Sequence, residues 1–349
     1  MISAILAELD LQRDYLEGAE LDSVYFGGGT PSLLEINELE QIFEKIRTLH
    51  CVAADAEITL EANPDDLSRE KLAELRARTP VNRLGIGIQS FGDEDLRWMN
   101  RAHTAQHARR CLDDAMTAGF SDLTIDLIYG SPTTSDAQWA DNLNIAFDYG
   151  IPHLSCYCLT VEDGTALGAF VRRGKQPPVD EEKAARQLEY LMAWAEQRGY
   201  EHYEISNFAL PGRHARHNSS YWLGEKYLGI GPSAHSFDGG SRQWNISNNA
   251  LYIKAIEKGE PLFEREVLSS AQRYNEYVMT SLRTVWGADL NKIRAMNGDF
   301  AAHFLKTVGV FLKNGMVEQR AETYRLTRAG KLLADGIASE LFVTGPDKP

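Results

Sequence analysis

Ser23-Val24-Tyr25-Phe26-Gly27-Gly28-Gly29-Thr30-Pro31 is the stretch on which the reading of the fold turns. A short apolar run reads as a buried strand, and three glycines followed by Thr and Pro end it. Successive glycines let backbone amides and carbonyls come close to a ligand. A P-loop would need Gly-x4-Gly-Lys-Ser/Thr, and no lysine follows here. The dinucleotide fingerprint would need a third glycine where Ser32 stands, and Pro31 interrupts the turn. Backbone carbonyls at such a turn suit an ammonium group. Taken alone, the run is more simply a tight strand-to-helix turn.

Outward from this run, strand and helix patterns alternate. Strands are predicted at 24–27, 57–63, 83–90, 123–129 and 153–160, with helices at 35–49, 69–78, 105–118 and 135–149. This spacing predicts βαβ units and a parallel sheet. Side chains alternate across a strand. Ile58, Leu60 and Ala62 therefore oppose Glu57, Thr59, Glu61 and Asn63; Leu84, Ile86 and Ile88 oppose Arg83, Gly85, Gly87 and Gln89; Leu123, Ile125, Leu127 and Tyr129 oppose Thr124, Asp126 and Ile128. One face is apolar and the other small or polar. An open doubly wound sheet would be apolar on both faces. A barrel with helices outside and a polar ligand in its bore explains the asymmetry, and the polar residues gather at the C-terminal strand ends, where barrel enzymes place their sites. The predicted strands are too few to close an eight-fold barrel, so the fold class is α/β with a partial parallel (β/α) barrel.

The pattern changes after about Gly164. A long helix is predicted over 180–198, a strand near 203–205, and a His-, Asn-, Tyr- and Gly-rich segment over 214–237. From about Ser269 the chain is mostly helical and ends in a hairpin with Thr327 capping a final helix, an α+β C-terminal region closing in a winged-helix-like module. Three domains are expected: residues 1–165, 166–268 and 269–349.

Composition narrows the class. The chain has 349 residues and a formal net charge of −14, which disfavours broad binding to phosphate backbones. No segment reaches the apolar length of a membrane span. The first residues read as an amphipathic helix without the basic start of a signal peptide. A cytoplasmic protein is expected, and peripheral contact with a membrane stays open. Cys51, Cys111, Cys156 and Cys158 are too scattered for a disulfide framework. Cys156-x-Cys158 does not match the spacing of a structural zinc site, so buried thiols are expected there.

Several side chains stand out beyond the glycines. Glu61 is an acid at a strand end, suited to an amine or a ribose and equally to a salt bridge. Gly85, Gly87 and Gln89 share a face on which a flat ring would fit. Asp126 interrupts an apolar strand, and Arg101 is a suitable partner for it or for a ligand carboxylate. His217, in Arg216-His217-Asn218-Ser219-Ser220-Tyr221-Trp222, and the later His235 are candidates for an axial ligand to haem iron; a lone histidine is more often structural.

The ordered series Phe26–Leu34, Leu60-Glu61-Ala62-Asn63-Pro64, Asn82–Phe91, Asn100-Arg101-Ala102-His103, 125–130, 203–209 and 227–236 resembles the oxygen-independent coproporphyrinogen oxidase-like branch of the radical S-adenosylmethionine (SAM) superfamily. Within it, Arg-His-Asn-x-x-Tyr-Trp resembles the haem-chaperone family more than the coproporphyrinogen III dehydrogenases of porphyrin biosynthesis. The resemblance implies SAM contacts from Gly28, Gly29, Thr30, Glu61, Gln89, Arg101 and Asp126, and a haem-handling role for His217. It implies haem as cargo, haem-accepting respiratory proteins as partners, and a [4Fe-4S] cluster with SAM modulating the process.

The chain departs from the family pattern at its start. Relatives begin with a first barrel strand and a Cys-x3-Cys-x2-Cys loop, and this chain begins in the helix that follows. Its cysteines do not stand at the ligand positions, so no cluster ligand is expected and reductive SAM cleavage is not. Met1 reads either as an internal methionine taken as a start or as the start of a truncated gene, with an open sheet edge left by the missing strand.

Overall fold

A computed structural model describes residues 1–344. Five parallel strands carry the first half: β1 (Leu21–Phe26), β2 (Val52–Ala62), β3 (Arg83–Gln89), β4 (Asp122–Tyr129) and β5 (His153–Cys158). They pair in chain order. Parallel neighbours need crossovers, supplied by the helices Ile36–Leu49, Arg69–Arg78, Ala105–Thr117 and Asp136–Asp148. Each lies where periodicity places it. The strand expected near 203–205 is instead a tight hairpin, β6 (Glu201–Glu204) and β7 (Asn207–Ala209), which extends the sheet antiparallel to β5 in the order β1-β2-β3-β4-β5-β7-β6.

The sheet curls into a half-barrel. Its outer face, including Leu60, Leu84, Ile86, Ile125 and Leu127, is fully buried against the helices in one core. The bore face is graded. Glu57, Thr59, Arg83, Thr124 and His153 near the N-terminal strand ends are buried, whereas Glu61, Gly85, Gln89 and Asp126 near the C-terminal ends are half-buried. The bore is thus plugged below and accessible above.

The plug is polar. Arg83 donates to Asp122 (2.7 Å) and to the Thr124 hydroxyl (2.6 Å) and lies 3.9 Å from the Glu57 carboxylate. Glu57 accepts the backbone N–H groups of Arg216 (2.8 Å) and His217 (3.0 Å). These amides open the helix Arg216–Leu223, whose positive end favours a carboxylate. The helix lies against β1, the edge strand of the sheet.

A second sheet follows, β8 (His235–Phe237), β9 (Ser241–Asn245) and β10 (Phe263–Val267), all antiparallel. The C-terminal α+β region holds β11 (Ala288–Asp289), the helices Leu290–Met296 and Gly298–Lys313, then the hairpin β12 (Val317–Arg320) and β13 (Thr323–Leu326), with its own core around Tyr274, Phe304 and Tyr324. Thr327 caps the next helix, Arg328–Lys331, through its side chain as expected, but this is not the final helix, because Ala334–Glu340 follows it. Among the described residues no helix is long and apolar enough to cross a membrane.

Candidate functional site

The glycine loop leaves β1 at the open end of the bore. Gly28 (φ +71°) and Gly29 (φ +74°) are left-handed, a backbone that L side chains rarely adopt. A Cβ built on either meets nothing within 4 Å. The loop is therefore an exposed backbone surface with room beside it. Gly28 N–H donates to Glu61 Oε2 at 3.3 Å, and Tyr25 OH donates to Glu61 Oε1 at 2.5 Å. Thr30 sits half-buried at the rim and leads into the short turn Pro31–Leu33.

Across the bore, Gly85 and Gly87 leave a floor without side chains. A Cβ on Gly87 would fall 2.9 Å from Gln89 Nε2 and 3.1 Å from Arg101 Nη2, so glycine lets both polar groups fold over the strand. Gln89 is itself left-handed (φ +65°), a strained state for a non-glycine residue and one that clusters at functional sites. Arg101 donates to Asn63 Oδ1 (2.8 Å) and to the Gly87 carbonyl (3.2 Å). It forms no ion pair with Asp126, contrary to one reading of the sequence. The two Arg101 contacts point the guanidinium along β3, and Asp126 hydrogen-bonds Ser155 instead.

Burial pushes the Asp126 carboxyl up to about 7; the Ser155 hydrogen bond opposes this, Glu61 adds to it, and the Arg101 charge opposes it. Between its ordinary value of 3.8 and about 7, the folded chain holds a proton that the unfolded chain has lost. Folding stability therefore falls as pH rises through that window. Asp126→Asn carries no titrating group, so its stability should fall less than that of the wild type between about pH 5 and about pH 8. Urea unfolding at both pH values checks this; parallel curves would refute it.

His217 occupies the open edge of the same bore. Its ring stacks on Tyr25 with centroids 4.6 Å apart and planes 11° apart. Nδ1 lies 2.9 Å from the Ser23 hydroxyl and Nε2 lies 2.9 Å from the Tyr221 hydroxyl. Burial lowers the imidazole to about 4, so it is neutral at physiological pH. If Nδ1–H donates to Ser23, the Nε2 lone pair faces Tyr221, an exposed side chain, and is the pole a metal would approach. Trp222 turns away from this edge and lies under the Arg283 guanidinium at 5.7 Å. His235 is exposed on β8 and stacks on Trp244.

Gly28, Glu61, Gln89, Arg101 and Asp126 thus line one bore, and His217 reaches Glu61 through Tyr25. Sequence reading placed Tyr25 and Glu57 on strands without giving them a task. For Tyr25 the signal was its alternation with Val24 and Phe26, which turns it inward. Glu57 offered none beyond its polar face, because the amides it caps lie 159 and 160 residues away.

A parallel half-barrel with a glycine loop and polar strand ends defines a protein of the radical SAM type. Residues 5–146 match the radical SAM superfamily and residues 268–333 match the HemN C-terminal domain. Coproporphyrinogen III oxidase (HemN) from Escherichia coli shares the fold at a TM-score of 0.83 and 24% identity, over 97% of this chain and 82% of that one. The Heme chaperone HemW of Mycobacterium tuberculosis is 33% identical over 97% of this chain and 85% of its own length. The HemW proteins of Bacillus subtilis (31%, covering 91% of this chain and 84% of the relative) and Escherichia coli (30%, 98% and 89%) are also similar. The chain belongs to the HemW family.

The superfamily implies SAM and a [4Fe-4S] cluster. The open loop, the glycine floor and the orphaned, buried Thr59 hydroxyl below Glu61 fit a polar ligand such as SAM. The thiols do not fit a cluster. Cys111 and Cys156 are buried in the core, and burial holds both above the ordinary thiol range. Cys51 is exposed, and its hydrogen bond to Glu20 raises it further. Cys158, expected to be buried, is exposed because β5 ends there. Among the described residues no three His, Cys, Asp or Glu side chains gather as a metal-binding group.

Proposed function

We propose that this chain binds haem at His217 and passes it to haem-requiring respiratory proteins in the cytoplasm or at the membrane face. Residues 1–165 hold SAM through Gly28, Gly29, Thr30, Glu61, Gln89, Arg101 and Asp126. Residues 166–268 present the haem ligand, and a C-terminal domain begins at about residue 269. The observation that carries this reading is the state of His217: neutral, set in one orientation by Ser23 and Tyr25, with Nε2 against the hydroxyl of the exposed Tyr221. An imidazole of this kind is a ready axial ligand for haem iron. The motif Arg216-His217-Asn218-x-x-Tyr221-Trp222 and the HemW relatives support it.

The test is a titration of the purified chain with haem, followed by mixing with an apoprotein that needs b-type haem. The expected result is a saturable Soret shift at equimolar haem and transfer of the band to the acceptor. Turnover of coproporphyrinogen III without any response to haem would favour an oxidase reading instead.

A further inference from the structure

Tyr25 belongs to both parts of the candidate site. Its hydroxyl donates to Glu61 Oε1 at 2.5 Å, and its ring lies flat on the His217 imidazole. Burial, with the Glu61 charge and hydrogen bond, pushes the phenol far above its ordinary range, so it remains a donor. The other Glu61 oxygen accepts Gly28 N–H at 3.3 Å, a long bond on the exposed glycine loop. On its far side the histidine has little freedom, because Ser23 holds Nδ1 and Glu57 holds its backbone N–H.

We infer that Tyr25 is a positioning residue that couples ligand occupancy at the glycine loop to the His217 imidazole, so that SAM and haem each weaken the binding of the other. The inference rests on the haem reading above. With the loop empty, Glu61 anchors Tyr25, and Tyr25 fixes the plane of the imidazole. An ammonium group arriving at Gly28 and Gly29 is drawn to the Glu61 carboxylate. Shared between that cation and Tyr25, the carboxylate holds the phenol less firmly, and the stacked imidazole loses its fixed plane. A less preorganised ligand binds more weakly. Reciprocity requires haem to lower SAM affinity by the same factor. SAM would then act as a release signal.

The test measures haem Kd by Soret titration of the purified chain, with and without saturating SAM, in wild type, Tyr25→Phe and Tyr25→Leu. In wild type, SAM should raise the haem Kd by about 5-fold or more, the low end of typical coupling. Tyr25→Phe keeps the ring and loses the anchor. It should bind haem as weakly as the SAM-loaded wild type and show no further response to SAM. Tyr25→Leu should in addition broaden the low-spin electron paramagnetic resonance signal, because nothing flat supports the imidazole. A simple loss of stability would lower the unfolding midpoint without removing the response to SAM. An unchanged haem Kd on adding SAM to wild type, or an equal SAM response in wild type and Tyr25→Phe, overturns the inference while leaving the haem reading intact. Absence of haem binding by wild type would overturn both.

Discussion

His217→Ala is expected to weaken haem binding by about 100-fold or more, about 2.8 kcal/mol, and to abolish the low-spin Soret band. The imidazole is the side chain at the sheet edge whose Nε2 meets the hydroxyl of the exposed Tyr221 while Nδ1 is held by Ser23. Its removal should cost little stability, because the hydroxyls of Ser23 and Tyr221, on half-buried and exposed residues, can both reach water. Added imidazole should restore the band by filling the vacated space, which a misfolded variant would not permit. The pH profile carries a second signature. A histidine of ordinary pKa would lose its lone pair below about 6.5, but burial holds His217 neutral down to about 4. Haem affinity should therefore be flat from about pH 8 to about pH 5. The stabilising effect of the neutral ring is complete above about 6.5 and lost as pH falls toward about 4. Wild-type haem affinity that titrates near 6.5, or a His217→Ala spectrum like that of wild type, would remove His217 as the ligand.

Glu8→Ala is expected to destabilise the fold by about 3 kcal/mol or more. Glu8, on the helix Ile2–Leu11, is 0% exposed. Its carboxylate accepts Gly231 N–H (2.8 Å), Asn245 Nδ2 (2.6 Å) and Tyr252 OH (2.6 Å). Burial raises its pKa despite these donors. Truncation leaves the Gly231 N–H and the Tyr252 hydroxyl without an acceptor and Asn245 Nδ2 with only the Gly231 carbonyl, and it opens a cavity beside them. Glu8→Gln keeps the volume but turns an amide N–H toward one of the donors, so it should fall between alanine and wild type. Urea unfolding measures the loss, and hydrogen exchange should show it concentrated over residues 229–246. A Glu8→Ala midpoint equal to that of wild type would mean that the donors find water and that the joint is dispensable.

Much of this site is legible in the sequence. The inward set Glu61, Gly85, Gly87, Gln89 and Asp126 follows from alternation alone, and the functional end of the bore from the gathering of polar residues at the C-terminal strand ends. Partners were harder. Arg101 was a reasonable counter-ion for Asp126, yet it bonds Asn63 and the Gly87 carbonyl, because its reach is set by the turn that follows Trp98. Cys158 shares a strand face with Cys156 but not its burial, because the strand ends at that residue. The predicted single strand near 203–205 became a hairpin, since the pattern of a few residues cannot tell one short strand from two.

The half-barrel, the side of each strand that faces its bore and the backbone loop that crowns it are all written in local patterns of the chain. Those properties repeat every two residues or sit in one glycine run, so they are local. It is the packed fold that makes Glu57 cap the helix carrying His217, and that sets Ser23 and Tyr25 against a ring 194 and 192 residues further along the chain. A strand pattern states which side chains face inward but not which distant helix end will meet them. That meeting is set by how the crossovers pack, and it turned a glycine loop and a lone histidine into neighbours across one tyrosine ring.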